Sequence, residues 1–264
     1  MWLDLMPKVL QLHVGPHLLR ARLTLGRRVL AQAERSGPTA PSAAALGKCL
    51  SGLLATLAEQ SALRGARAEV ELADALVLLD VVGGEFADHG ERQLQAVAAA
   101  CCAELLGAAG AAAHELRWQL QADERHLLIC AMPRDVLEML RECLAEHDME
   151  LRSATPQLCN TWNRHSRELG GGSAVLALAN ASSATVACLQ DGAIAALARF
   201  GLSAGASIAA LDAQVNRLQA SLGLGADAHS RYLLVSERAV SPKALERWTL
   251  LSSEAAAAAQ GSAA

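Results

Sequence analysis

Val9-Leu10-Gln11-Leu12-His13-Val14, followed by Gly15-Pro16, and Ala174-Val175-Leu176-Ala177-Leu178-Ala179, followed by Asn180-Ala181, open two copies of one plan. Each copy continues as strand, tight turn, strand and long helix, the first from Lys8 to about Leu63 and the second from Gly172 to about Leu222. In the first copy Leu10, Leu12 and Val14 alternate with Gln11 and His13, the period of a half-buried strand. Leu19, Ala21, Leu23 and Leu25 alternate with Arg20, Arg22 and Thr24, Gly26 punctuates, and Val29, Ala31 and Ala33 continue the pattern. The chain breaks at Ser36-Gly37-Pro38, after which Leu46, Leu50, Leu53 and Leu57 fall on one stripe of a helix.

In the second copy the opening strand is apolar throughout, as expected of a strand covered on both faces. Thr185 to Gln190 returns, Asp191-Gly192 is a two-residue hairpin signal, and Ala193 to Phe200 makes a third strand. Ile208, Leu211, Val215, Leu218 and Leu222 then mark a buried helical face. The remainder offers strands at Arg231 to Glu237 and Trp248 to Leu251, with Pro242 to Arg247 between them.

Between the copies the pattern changes. Glu69 to Ala73 and Leu76 to Val82 read as strands, and Gly83 to Gly90 as a loop. Leu94, Val97, Cys101 and Leu105 mark a helix; Glu115 to Gln121 pairs through Asp123-Glu124 with His126 to Met132. A helix follows Pro133 with Val136, Leu140, Cys143 and Leu144 inward, and Met149 to Ala154 returns as a strand to Thr155-Pro156. The expected organisation is a first lobe over residues 1–165 with a small αβ insertion at about 74–121, a second lobe over 172–253, and a disordered Ala-rich tail over 254–264.

A net charge of −4 and three lysines argue against a nucleic-acid surface, which needs a basic stripe to neutralise phosphates. Met1-Trp2-Leu3-Asp4-Leu5-Met6 lacks the form of a secretory signal, and no uninterrupted apolar run reaches the ~20 residues of a membrane span, so a cytoplasmic location is expected. The cysteines at 49, 101, 102, 130, 143, 159 and 188 include no CxxC pair, and read as small buried hydrophobes rather than a zinc or disulfide framework. Gly170-Gly171-Gly172-Ser173 precedes a strand and lacks a following Lys-Ser/Thr, which makes it an interlobe linker rather than a phosphate loop. His17 and His165 have no neighbouring nucleophile pattern, so neither is a catalytic base.

Three passages carry a resemblance: Leu12 to Arg20, Leu178 to Gly192, and Ala131-Met132-Pro133 with its helix, Met149-Glu150-Leu151 and Thr155-Pro156. In them the chain resembles the type IV pilus assembly protein PilM and the cytoplasmic domains of the type II secretion protein GspL, as a degenerate member of that family. The resemblance implies a duplicated ribonuclease H-like, actin-like ATPase fold of class α/β, with two βββα-type lobes. It also implies a first phosphate loop at Gly15 and Arg20 and a second at Asn180, Ser182, Ser183 and Thr185.

The departures argue against the family's chemistry. Actin-like ATPases hold a metal ion and its water on two loop aspartates, where this chain has His13 and Leu178. Leucine cannot ligate magnesium, and neutral imidazole is a poor ligand for so hard an ion. Asn180 stands where a glycine lets the loop approach a phosphate; it tolerates left-handed backbone but adds bulk. No catalytic residue, metal or cofactor is therefore expected; ATP stays open as the disfavoured alternative, since Arg20 retains a charge that attracts anions.

Taken bare, His13 and Arg20 are polar residues on the open side of a strand, and Ser182, Ser183 and Thr185 suit any turn. The resemblance, with the metal-holding carboxylates replaced, implies a non-catalytic cytoplasmic scaffold of a type IV pilus or type II secretion-like assembly, peripheral to the inner membrane. It would hold the cytoplasmic N-terminal peptide of a bitopic inner-membrane protein, with a homodimer left open. The alternative is a divergent ATP-dependent kinase of the same superfold, which needs an acidic base and a metal-holding carboxylate from Asp74, Asp80, Asp191 or Asp212. Of these, Asp191 is accounted for by its hairpin and Asp212 by the polar face of its helix.

Overall fold

The computed structural model describes residues 7–169, 172–202, 208–221, 230–235 and 248–251. The first copy builds β1 (Lys8–Val14), β2 (Leu18–Leu25), β3 (Arg28–Ser36), helix α1 (Ala43–Gln60) and β4 (Arg67–Leu72). A short 3-10 turn at Asp74–Leu76 leads to β5 (Leu78–Gly83), α2 (Glu91–Ala112), β6 (His114–Leu120) and β7 (His126–Pro133). Then come α3 (Arg134–Ala145), β8 (Glu150–Pro156) and α4 (Gln157–Leu169). The second copy supplies β9 (Ala174–Ala179), β10 (Ser183–Gln190), β11 (Ala193–Gly201), α5 (Ile208–Ser221), β12 (Ser230–Val235) and β13 (Thr249–Leu250).

The duplication is visible in the topology. One five-stranded sheet has the order β3-β2-β1-β4-β8 and another the order β11-β10-β9-β12-β13. In each, the first three strands are antiparallel and the last two run parallel to the first. The likeness extends to a bulge: Leu30 is the extra residue opposite Leu23/Thr24, and Ala195 the extra residue opposite Cys188/Leu189, each the third residue after its hairpin turn. Asp191 and Gly192 both take positive φ, 50° and 81°, the primed turn that matches strand twist.

Contacts divide the described residues into two compact units, one drawn from Met1–Leu78, Cys102–Arg117 and Cys130–Thr161, the other from Leu79–Cys101, Trp118–Ile129 and Trp162–Ala264. In the first, α1 packs on β2 and β3, and α3 packs on β8 and α1. Leu46, Leu50, Leu53 and Leu57 are buried, as their spacing requires, together with Leu10, Leu12, Val14, Leu19, Ala21 and Leu23 of the sheet and Val136, Leu140, Cys143 and Leu144 of α3. Gly47 lets the two helices approach closely, since a Cβ there would lie 3.0 Å from Met139 Cγ. In the second unit Val175, Ala177, Ala179, Val186 and Cys188 form a core with Leu211, Val215, Leu233 and Trp248, while Leu176 and Leu178 are buried on the strand's other face.

The third sheet has the order β5-β7-β6, and its central strand runs to Pro133. Three sequence readings are corrected. On α2 the buried residues are Leu94, Ala98 and Cys102, while Leu105 is 52% exposed; in so Ala-rich a helix the large residues do not mark the inner face. This helix is long and apolar enough to cross a membrane by length and composition, and it is kinked at Gly107. Helix α4 was not anticipated, because its buried residues include Thr161 and His165 beside Leu158 and Leu169 and break the apolar period. Asp212 is not on a solvated face: it binds Arg231 and Trp248. Gly170, Gly171, Leu222, Glu237, Pro242 to Arg247 and the tail from Glu254 lie outside the described residues.

Candidate functional site

The turns after β1 and β9 are built alike. Val14 pairs with Leu19 and Ala179 with Ala184, which makes His13 the counterpart of Leu178, Gly15 of Asn180, and Arg20 of Thr185. Gly15 N donates to Leu18 O at 3.0 Å and Asn180 N to Ser183 O at 2.9 Å. The third strand closes each turn with the same bond at the same length, Gly37 N to His17 O and Leu202 N to Ser182 O, both 2.7 Å.

Both turns lie at carboxyl ends of parallel strands, where open α/β sheets bind ligands. Their ligand-facing groups are already engaged. In the first, His13 donates from Nδ1 to Glu71 Oε1 at 3.0 Å, and Asn160 in the first turn of α4 donates to Glu71 Oε2. The imidazole Nε2 leans over the turn, 3.2 Å from where a Cβ on Gly15 would stand. Gly15 is therefore small to admit a neighbour rather than to bend backwards; neither it nor Asn180 is among the residues with positive φ. Arg20 pairs with Glu34 across the β2–β3 ladder, so a carboxylate already answers its charge.

In the second turn the Asn180 carboxamide does what an anion would do. Its Oδ1 accepts from Ser183 N at 2.8 Å, Ser182 N at 3.1 Å and Ser183 Oγ at 3.1 Å. Thr185 is buried. Asn180→Ala removes the acceptor of two main-chain amides and is expected to cost about 1–2 kcal/mol, read as a lower urea midpoint.

Sequence reasoning located both turns but missed Glu71 and Asn160, which stand 58 and 89 residues from their partners. Asp74, considered as a kinase carboxylate, is buried and accepts from Leu158 N at 2.9 Å, capping α4. Beside it burial raises the thiol of Cys130 to about 12 and that of Cys159 to about 11, with the Asp74 charge adding to both. Cys188 is pushed up to about 11 by burial alone. Thiols so shifted are packing groups, not nucleophiles. Among the described residues no three His, Cys, Asp or Glu side chains are grouped to hold a metal ion.

No family model and no curated protein matches the sequence. Solved structures do match. The PilM-PilN type IV pilus biogenesis complex superposes with a TM-score of 0.69 at 11% identity, covering 92% of this chain and 88% of that one. A Bacteroides thetaiotaomicron protein with actin-like ATPase fold and unknown function gives 0.59 at 10% identity, over 94% and 92%. The cytoplasmic domain of EpsL, an inner membrane component of the type II secretion system of Vibrio cholerae, gives 0.53 at 12% identity, over 97% and 94%. The chain therefore has the actin-like ATPase fold, as the resemblance implied.

Proposed function

We propose that this chain is a non-catalytic, cytoplasmic scaffold of an inner-membrane assembly, recruited there by holding a short cytoplasmic peptide of a membrane partner. One observation carries the reading: each phosphate turn is occupied by the chain's own side chains, the imidazole of His13 over Gly15 and the carboxamide of Asn180 on the amides of Ser182 and Ser183. A phosphate would have to displace two to three existing hydrogen bonds in the second turn and find no carboxylate at position 13 or 178 to bring a metal ion with it. A fold kept while those groups are lost serves through its surface. The solved complex and the secretion-system domain that share the fold belong to inner-membrane or pilus assemblies, which is the setting the reading requires.

Calorimetric titration with magnesium ATP is expected to show no heat of binding and no turnover. Micromolar binding with hydrolysis or transfer to an acceptor would overturn the reading in favour of a kinase. Its other half is tested by fluorescence anisotropy with labelled N-terminal cytoplasmic peptides of any one-span membrane proteins found encoded beside this chain. At least one is expected to bind.

A further inference from the structure

Charge is not spread evenly over this chain. Residues 8–67 carry nine lysines and arginines against two carboxylates, Glu34 and Glu59, although the whole chain has a net charge of −4. Asymmetry of this kind points to an anionic partner. The first five-stranded sheet, ordered β3-β2-β1-β4-β8, lays the charge out from one edge to the other. Its β8 side, with α3 packed on it, exposes more carboxylates than cations, Glu138, Glu142, Glu146, Asp148 and Glu150 among them. Its β3 side, with α1 packed on it, exposes Arg27, Arg28, Arg35 and Lys48.

Arg27 and Arg28 form the tip of the β2–β3 hairpin, beside Gly26 with φ 60° and Val29, which is 38% exposed. Arg28 and Arg35 pair in register with Leu25 and Leu19, which puts both on the side of the sheet that α1 covers, near the two ends of β3. About 23 Å of strand separates them. Arg35 Nη1 takes the place that a Cβ on Gly52 would fill, so its guanidinium lies along α1, one turn from Lys48. Among the described residues none of these four cations enters an ion pair, whereas Glu34 is answered by Arg20. The other carboxylate, Glu59, stands in the last turn of α1.

We infer that this flank, the β2–β3 tip with the edge of β3 and the outer side of α1, rests on the surface of an anionic bilayer. Guanidinium groups donate in pairs to phosphate oxygens, and each cation near an anionic leaflet adds attraction that salt screens. Val29 supplies an apolar contact beside the arginines of the tip. Single-stranded nucleic acid asks instead for aromatic stacking platforms, and residues 8–67 contain no Phe, Trp or Tyr. The choice of a bilayer among polyanions rests on the inner-membrane reading above; the flank itself does not require the peptide. Four cations make a weak attachment, which suffices once a partner already holds the chain at the membrane, because stable anchoring takes two signals.

The test floats the full chain, without any peptide, on vesicles of phosphatidylglycerol with phosphatidylethanolamine and on vesicles of phosphatidylcholine alone. At low ionic strength the chain is expected to bind the first and not the second, and to be released at 1 M salt, where the screening length is about 3 Å. Arg27→Ser with Arg28→Ser is expected to weaken binding about thirtyfold, the effect of two cations at such a surface. Arg35→Ser with Lys48→Ser should act in the same direction. Arg134→Ser with Arg141→Ser removes the same charge from the β8 side and should leave binding within about twofold. Circular dichroism checks that each variant is folded. No binding to the anionic vesicles, equal binding to both kinds, or equal loss in all three double variants overturns the inference. So does tighter binding to single-stranded RNA than to the anionic vesicles. Failure on vesicles leaves peptide binding in solution, and the reading above, intact; failure of every peptide with vesicle binding kept removes that reading and leaves the flank standing.

Discussion

Gly37→Ala is expected to lose more than about 3 kcal/mol of folding stability, because the new methyl group has only main chain to push against. A Cβ on Gly37 would lie 2.3 Å from Pro16 O, 2.6 Å from Pro16 C and 2.9 Å from His17 C. No rotamer relieves such a clash. The turn holding Gly15 must open, or the bond from Gly37 N to His17 O must break. The second copy shows where the limit comes from: Leu202 holds the equivalent position and makes the equivalent bond, so a side chain is tolerated where the turn reads Asn180-Ala181. Gly201→Ala, whose methyl would meet nothing within 4 Å, is the control and should stay within about 0.5 kcal/mol. Urea unfolding followed by circular dichroism separates the two. An unchanged midpoint for Gly37→Ala would refute the close approach.

Arg231→Ala is expected to cost about 3–5 kcal/mol, the usual penalty for breaking a buried charge network by removing one partner. Arg231 is 6% exposed and donates to Asp212 Oδ1 at 2.8 Å, Asn216 Oδ1 at 2.7 Å and Gln219 Oε1 at 3.3 Å. Trp248 donates to the same Asp212 oxygen at 2.8 Å, and its ring lies 5.8 Å from the guanidinium carbon. One side chain of β12 thus ties down three residues of α5 and the tryptophan before β13. Removing it takes a donor from three acceptors and leaves the Asp212 charge with the Trp248 N–H alone, whereas replacing both charges by apolar residues removes the uncompensated charge and leaves only neutral groups short of a partner. The double variant Arg231→Met with Asp212→Leu should therefore be more stable than Arg231→Ala. Equal midpoints for the two would mean that packing, not charge, dominates there.

Both predictions concern contacts that no local pattern announces. Asp212 falls where a helix reading puts solvent, because the cation that recruits it comes from a strand 19 residues away. Glu71 and Asn160 are likewise ordinary strand and helix residues until the fold sets Glu71 between His13 and Asn160. Helix α4 was illegible for a related reason: Thr161 and His165 occupy inward positions that apolar periodicity expects to be aliphatic. On α2 nearly every residue is small and apolar, so composition could not show which side is buried.

What the residues declared unaided was the part governed by short-range repetition. Alternation at a period of two defined the strands of both copies, leucines at helical spacing defined α1 and α3, and Gly26 and Asp191-Gly192 marked the hairpins; together they made the duplication, and hence the fold, readable. Only the folded chain decided the order of the small sheet and the state of the two turns. Each of these depends on which distant strand lies alongside and which side chain fills the space between. Hydrogen bonds to groups tens of residues away leave no period in the sequence.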